Sequence, residues 1–180
     1  MNTDVQLIIV MGVSGSGKSS VAKNLAKALG YSYLDADDFH NIEAKRLMAK
    51  GKALSDLQRE QWLHRMISFF TLPSFAQSKT VFAFSGLKHR HRRLLNALEL
   101  STQFIFLHGK EQVIAKRIND RNGHFFPVHL LKSQFDALDC PISVPHYREE
   151  LDITLINIDK PLKEITKAAL DCCKVQGQIV

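Results

Sequence analysis

Cysteine is scarce. The chain has three in 180 residues, Cys140, Cys172 and Cys173, an odd number with two of them adjacent. Such a set is no disulfide framework, and it points to a reducing cytosol. Long apolar runs are missing as well, since no stretch approaches the roughly 20 residues a membrane span requires. Met1-Asn2-Thr3-Asp4 carries neither a basic segment nor a small-residue cleavage site, so no secretory leader is expected. Five prolines and nine glycines are too few for a fibrous or linker-rich chain. The eight histidines follow no metal-ligand spacing: His89 and His91 stand two apart on an expected helix and face different ways, and no cysteine pair has ligand spacing. The net charge of +6 is densest at Lys88-His89-Arg90-His91-Arg92-Arg93. That run has no second basic stripe and no interleaved aromatics, which argues against nucleic acid and for a small anionic ligand.

What is present is concentrated near the start. Gly12-Val13-Ser14-Gly15-Ser16-Gly17-Lys18-Ser19 spells G-x-x-x-x-G-K-[ST], the phosphate-binding P-loop. Its context is right: Leu7-Ile8-Ile9-Val10-Met11 reads as a buried strand, and Ser20 onward reads as a helix with Val21, Leu25, Ala28 and Leu29 on one face. Backbone N–H groups of Gly12, Ser14, Gly15, Ser16 and Gly17 and the helix start at Lys18, Ser19 and Ser20 make a nest for anionic oxygens. Lys18 is then expected to reach the β- and γ-phosphates and Ser19 to ligate Mg2+. The expected ligand is a nucleoside triphosphate.

Short apolar segments at 6–11, 31–34, 80–84, 103–108 and 153–158 alternate with helical patterns at 18–29, 41–49, 56–70, 88–98, 111–120, 128–138 and 161–173. Alternation of this kind predicts an α/β fold, a doubly wound three-layer domain with a five-stranded parallel sheet. No linker, repeat or low-complexity segment divides the chain, so residues 1–180 are read as one domain. In the last helix Leu162, Ile165, Ala169 and Cys172 recur at helical spacing and are expected in the core.

Ligands of an open parallel sheet lie beyond the strand ends. There stands Asp35-Ala36-Asp37-Asp38-Phe39-His40. On an extended segment Asp35 and Asp37 point the same way, and either a metal and proton-transfer role or an acidic cap would account for them. Asp38 is expected to cap the next helix. The third expected strand ends in Phe84-Ser85 without an acid, which leaves Asp35 as the carboxylate for the metal's water shell. Ser55 or Asp56 caps the helix at 56, Trp62 is read as core, and Arg59 is either a solvated residue or an anion clamp. Lys88 and Arg92, four apart, share a helical face and suit a carboxylate or phosphate. Arg117 and Arg121 lead into Asn122-Gly123-His124-Phe125-Phe126-Pro127, either a lid near 117–130 or a basic helix end.

These residues together carry a resemblance. Beside the P-loop stand Leu34-Asp35 with Asp37 and His40, Met48 with Gly51, and Leu54, Asp56, Arg59, Trp62 and Leu63. Ser85, Leu87, Lys88 and Arg92 follow, then Arg117 through Arg121 into Gly123-His124-Phe125-Phe126, Leu130-Leu131, Ser133-Gln134-Phe135, Pro141, Asp159 and Pro161-Leu162. The chain resembles the small P-loop gluconokinases, the thermoresistant gluconate kinase family, relatives of shikimate kinase and adenylate kinase. The resemblance implies Mg-ATP phosphorylation of gluconate to 6-phosphogluconate by a cytoplasmic homodimer. It implies Lys18 and Ser19 on phosphate and metal, Asp35 on the metal's waters, and Asp37 as proton acceptor. Arg59, Lys88 and Arg92 would hold the sugar acid, with His40 nearby and Arg117 and Arg121 on the nucleotide side. The departures lie on the sugar-acid side. Ala36 replaces the glycine of Asp-Gly-Asp, adding a methyl where a ligand would approach. Asn41, Ala44, Leu47, Ala53, Leu57-Gln58, Gln61 and His91 also depart from the usual residues. A kinase for another small polyol acid, or a non-catalytic nucleotide-binding relative, therefore stays open.

Overall fold

The structure, a computed structural model, describes residues 5–52, 54–120 and 128–175. Five strands form its sheet: β1 (Leu7–Met11), β2 (Ser32–Asp35), β3 (Thr80–Ala83), β4 (Thr102–His108) and β5 (Ile153–Asn157). All pairings are parallel, as the alternation predicts, and the order is β2-β3-β1-β4-β5. The register places Leu7 opposite both Thr80 and Thr102, so the P-loop strand is central. The five residues of β1 are buried, as a strand covered on both faces demands.

Helices cover both faces. Helix α1 (Lys18–Leu29) and α8 (Leu162–Val175) pack on one, where Val21, Ala22, Leu25 and Ala26 meet Ile8, Val10, Ile105 and Leu107. Helix α3 (Asp56–Phe70) lies on the other, its Trp62, Met66 and Phe70 against Leu7, Ile9, Phe82 and Phe104. The remaining helices are α2 (Ile42–Ala49), α4 (His89–Asn96), α5 (Glu111–Asn119), α6 (Val128–Asp136) and α7 (Pro145–Glu149). Among the described residues no helix is long and apolar enough to cross a membrane.

Local expectations are corrected in several places. Asp35 is the last residue of β2, and Ala36–Phe39 closes into a 3-10 turn, so Asp35 and Asp37 do not share an extended segment. Asn41, not Asp38, caps α2, its side chain accepting from the Ala44 N–H at 2.7 Å. Ser55 caps α3 in a reciprocal capping box with Gln58. In α1 the buried stripe takes Ala22 and Ala26, while Ala28 is exposed. In α8 the buried row is Ile165, Ala169 and Cys173, a strict four-residue spacing. Leu162 is exposed and Cys172 only half-buried. Helix α7 carries no strong sequence period and is missing from the expected elements.

Candidate active site

The P-loop begins where β1 ends, and its glycines are required by close approach. Gly12 has φ +146°, and a Cβ there would lie 2.6 Å from the Leu107 carbonyl and 2.8 Å from Ser16 Oγ. Gly15, at φ +80°, would drive a Cβ to 2.5 Å from Ile118 of α5. The loop therefore sits directly on β4 and α5. Lys18 extends back along it and its Nζ donates to the Val13 carbonyl at 3.0 Å.

Ser19, on the first turn of α1, donates its hydroxyl to Asp35 Oδ2 at 2.8 Å. This pair joins the P-loop helix to the end of β2. Tyr33 donates to the same oxygen at 2.6 Å, and the Asp37 N–H donates to Asp35 Oδ1 at 3.1 Å. Asp35 is thus held from three sides. Burial and the neighbouring carboxylate push the Tyr33 phenol well above its usual range, so it remains a donor. Sequence reasoning missed Tyr33, although the two-residue alternation of a strand puts it on the side of Asp35.

Asp37 stands beside this pair. Its side chain is largely open to solvent. Its pKa is raised, first by the surrounding protein displacing water and then by repulsion from Asp35, with Lys18 pulling the other way. Asp37 therefore lies within the fields of both Lys18 and Asp35. The Asp35-to-Phe39 turn is fixed by α3: Trp62 Nε1 donates to the Ala36 carbonyl at 2.7 Å, and Arg65 Nε to the Phe39 carbonyl at 2.7 Å. His40 stacks on Trp62 with ring centroids 4.6 Å apart, and its Nε2 lies 3.8 Å from Asp37 Oδ1. Burial, with Arg65 and Lys45 nearby, pulls the His40 pKa down to about 4, so the ring is neutral at pH 7. Ala36 is buried among Trp62, Phe82 and Phe84. Its extra methyl thus enters the core rather than meeting a ligand.

The basic residues separate. Arg59 is partly exposed and pairs with Asp56 at 3.4 Å within its own helix, a pair of little energetic weight. Lys88 lies 3.6 Å from Asp139. Arg92 corrects the expected clamp: it is fully buried, and its guanidinium donates to the carbonyls of Gly86 at 2.7 Å, Leu87 at 3.4 Å and Asp139 at 2.7 Å. It holds loop 86–88 to residue 139 and offers no face to a substrate. Lys88 and Arg92 share no open surface, because Lys88 precedes the first turn of α4 while Arg92 points inward. His91, the departure beside it, is buried with Nε2 unpartnered among the described residues. Burial and the charges of Arg90 and Arg59 lower its pKa.

On the nucleotide side Arg117 donates to the carbonyls of Ile158 and Lys160, the latter at 3.0 Å. Gly17, Ser20, Arg117, Asp120, Lys160, Pro161 and Leu162 line an open pocket of about 300 Å³ beside the start of α1. Arg121 and the expected lid loop lie outside the described residues. Among the described residues no cluster of three or more His, Cys, Asp or Glu suits a protein-held metal. The Ser19–Asp35 pair, all oxygen, instead fits a hard ion that brings its own waters and phosphate ligands.

A family profile described as an AAA domain matches residues 7–140. The thermoresistant gluconokinase of Escherichia coli strain K12 is 34% identical, the match covering 96% of each chain. A probable gluconokinase of Xenopus tropicalis is also 34% identical, over 96% of this chain and 93% of that one. The crystal structure of a gluconokinase from Sinorhizobium meliloti 1021 superposes with a TM-score of 0.83 at 35% identity, covering 97% of this chain and 94% of that one. The chain belongs to the gluconokinase family. For a gluconokinase-family chain the five-stranded parallel sheet and the P-loop on its central strand are the shared architecture, and the resemblance read from the motifs holds over nearly the full length.

Proposed function

We propose that this chain transfers the γ-phosphoryl group of ATP to the terminal hydroxyl of D-gluconate, giving 6-phosphogluconate and ADP. The observation that carries the reading is the Ser19–Asp35 hydrogen bond of 2.8 Å at the P-loop, with Asp37 alongside. Phosphoryl transfer is catalysed chiefly by positioning and charge stabilisation, and this arrangement supplies the parts. Ser19 and Asp35 would hold Mg2+, which when bound neutralises phosphate charge. The amides of Gly15 and of Gly17 to Ser20 bind the phosphates, the Gly12 and Ser16 N–H groups being taken by the Ser85 and Val13 carbonyls, and Lys18 leaves the Val13 carbonyl to reach their end. Asp37 orients the hydroxyl and takes its proton as the new O–P bond forms. The bond from phosphorus to the bridging oxygen breaks, and its electron pair leaves with ADP. The raised pKa of Asp37 makes it a better proton acceptor than an ordinary carboxylate.

Arg59 and Lys88 face the carboxylate of the acid, His40 buttresses the Asp37 turn as a neutral ring, and Arg92 acts behind them by fixing the Lys88 loop. Arg117 and Arg121 serve the nucleotide side, Arg121 stabilising charge on the transferring group. The pocket beside Gly17 suits the base and ribose. Residues 1–180 act as one kinase domain. The free cysteines accord with the cytoplasm, and the family resemblance supports a homodimer.

A coupled assay of ADP release across gluconate, other aldonates and shikimate tests the reading. Gluconate should give the highest kcat/KM. A different acid in first place identifies another polyol-acid kinase. Nucleotide binding without stimulation by any acid rejects the catalytic reading.

A further inference from the structure

Gln134 of α6 reaches across to the P-loop at Ser14. The Ser14 N–H donates to Gln134 Oε1 at 2.7 Å, and Gln134 Nε2 donates back to Ser14 Oγ at 3.0 Å. The two residues are 120 positions apart, one on the phosphate loop and one on α6. The reciprocal pairing leaves no ambiguity in the amide's orientation, because a main-chain N–H can only donate. A single side chain thereby engages both the main-chain N–H and the hydroxyl of Ser14.

The position of Ser14 in the loop gives this contact its meaning. Lys18, the residue that reaches the β- and γ-phosphates in a P-loop, lies across the early part of the loop with its Nζ on the Val13 carbonyl. Ser14 is the next residue, so it lies toward the end of the nest that meets the terminal phosphate, while Gly17 to Ser19 at the helix start meet the inner ones. Gln134 therefore sits at the terminal-phosphate end. It is neutral, and once its Ser14 bond is surrendered its Nε2 can donate to an incoming phosphate oxygen. An acid in its place would repel that oxygen.

We propose that Gln134 is a positioning residue for the γ-phosphoryl group, fixing Ser14 and tying α6 to the γ end of the P-loop so that the protein distinguishes ATP from ADP. The inference rests on the reading of ATP as phosphoryl donor. It predicts a selective effect, because ADP lacks the phosphate that Gln134 faces.

The test is calorimetric titration of the full chain, with Mg2+, using ADP and a non-hydrolysable β,γ-imido analogue of ATP. Gln134→Ala should weaken the analogue about tenfold, the loss of one charge-assisted hydrogen bond and its orientation, and change ADP by less than twofold. Gln134→Glu keeps an acceptor for the Ser14 N–H but brings a negative charge, and should weaken the analogue further than alanine does. Equal losses for the two nucleotides mean that Gln134 merely supports the loop, and unchanged affinity in either variant means that it does nothing for the γ-phosphate. Either result overturns the proposal. The retained ADP affinity reports that the variant is folded. Wild-type protein that binds neither nucleotide defeats the donor reading and this inference together. Wild-type binding with no response to any sugar acid defeats only the acceptor assignment.

Discussion

Replacing Arg92 by methionine should unfold the protein more readily rather than loosen its grip on substrate. The side chain is fully buried, and two of its N–H groups lie 2.7 Å from the Gly86 and Asp139 carbonyls. Hydrogen bonds from a charged donor contribute about 1.5–3 kcal/mol each, so removing these two costs about 3–6 kcal/mol. Methionine fills similar volume but leaves the buried Gly86 carbonyl and the partly buried Asp139 carbonyl without this donor. Against a total stability of about 5–15 kcal/mol this is a large fraction. For a chain of this length it lowers Tm by roughly 6–24 °C. Urea denaturation followed by circular dichroism measures it directly. Arg92→Lys should recover little, since one ammonium cannot span two carbonyls that the guanidinium fork bridges. At a temperature where the variant remains folded, the acceptor KM should stay within about threefold of wild type, the change reflecting only a less firmly held Lys88. An unchanged denaturation midpoint with an acceptor KM raised more than tenfold would refute the assignment and restore Arg92 as a ligand contact.

Asp37→Asn should lower kcat by about 10²–10⁴-fold while leaving ATP affinity within a few-fold, since the amide keeps shape but cannot take a proton. A kcat near wild type would remove Asp37 from that role. Gly12→Ala forces a methyl to 2.6 Å from the Leu107 carbonyl in a backbone region alanine avoids. It should cost about 1–3 kcal/mol in a melting experiment and weaken nucleotide binding tenfold or more. For His40, the pKa is about 4 in the folded chain and near 6.5 unfolded, so between these values the unfolded state binds more protons. Its stabilisation is complete above about pH 6.5 and is lost as pH falls toward 4, to a maximum of about 3 kcal/mol. His40→Gln should flatten the stability curve across that window, and a curve parallel to wild type would show that the ring titrates normally.

The motifs that depend on neighbours in the chain were legible without coordinates. A glycine loop between an apolar strand and a helix presents main-chain N–H groups to an anion, because its geometry follows from consecutive φ and ψ values. Parallel pairing followed from alternating strands and helices, since parallel strands need crossovers and those have one hand. A cap at Ser55 or Asp56 was readable for the same local reason, and the structure settles on Ser55, paired with Gln58. The 3-10 turn after Asp35 was less legible, because Trp62 and Arg65 of α3 hold it from 26 residues away.

Charge in the sequence did not say which way a side chain would face, and this is where tertiary structure decided the outcome. Arg92 and Lys88 are equally basic and four residues apart, yet packing turned one inward onto three carbonyls and left the other partly exposed near Asp139. The Ala36 methyl, read as an intrusion on a ligand, was absorbed by the aromatic cluster beneath it. Gln134 showed only as part of a family motif until the fold brought it to Ser14, 120 residues earlier. Sequence alone determined the phosphate loop and the layered architecture, consequences of local backbone preference and apolar periodicity, and its motifs carried the family resemblance. The fold decided which polar groups reach the phosphates and which are spent on main-chain carbonyls, because a buried donor must find an acceptor and only the packed chain determines what lies within 3 Å of it.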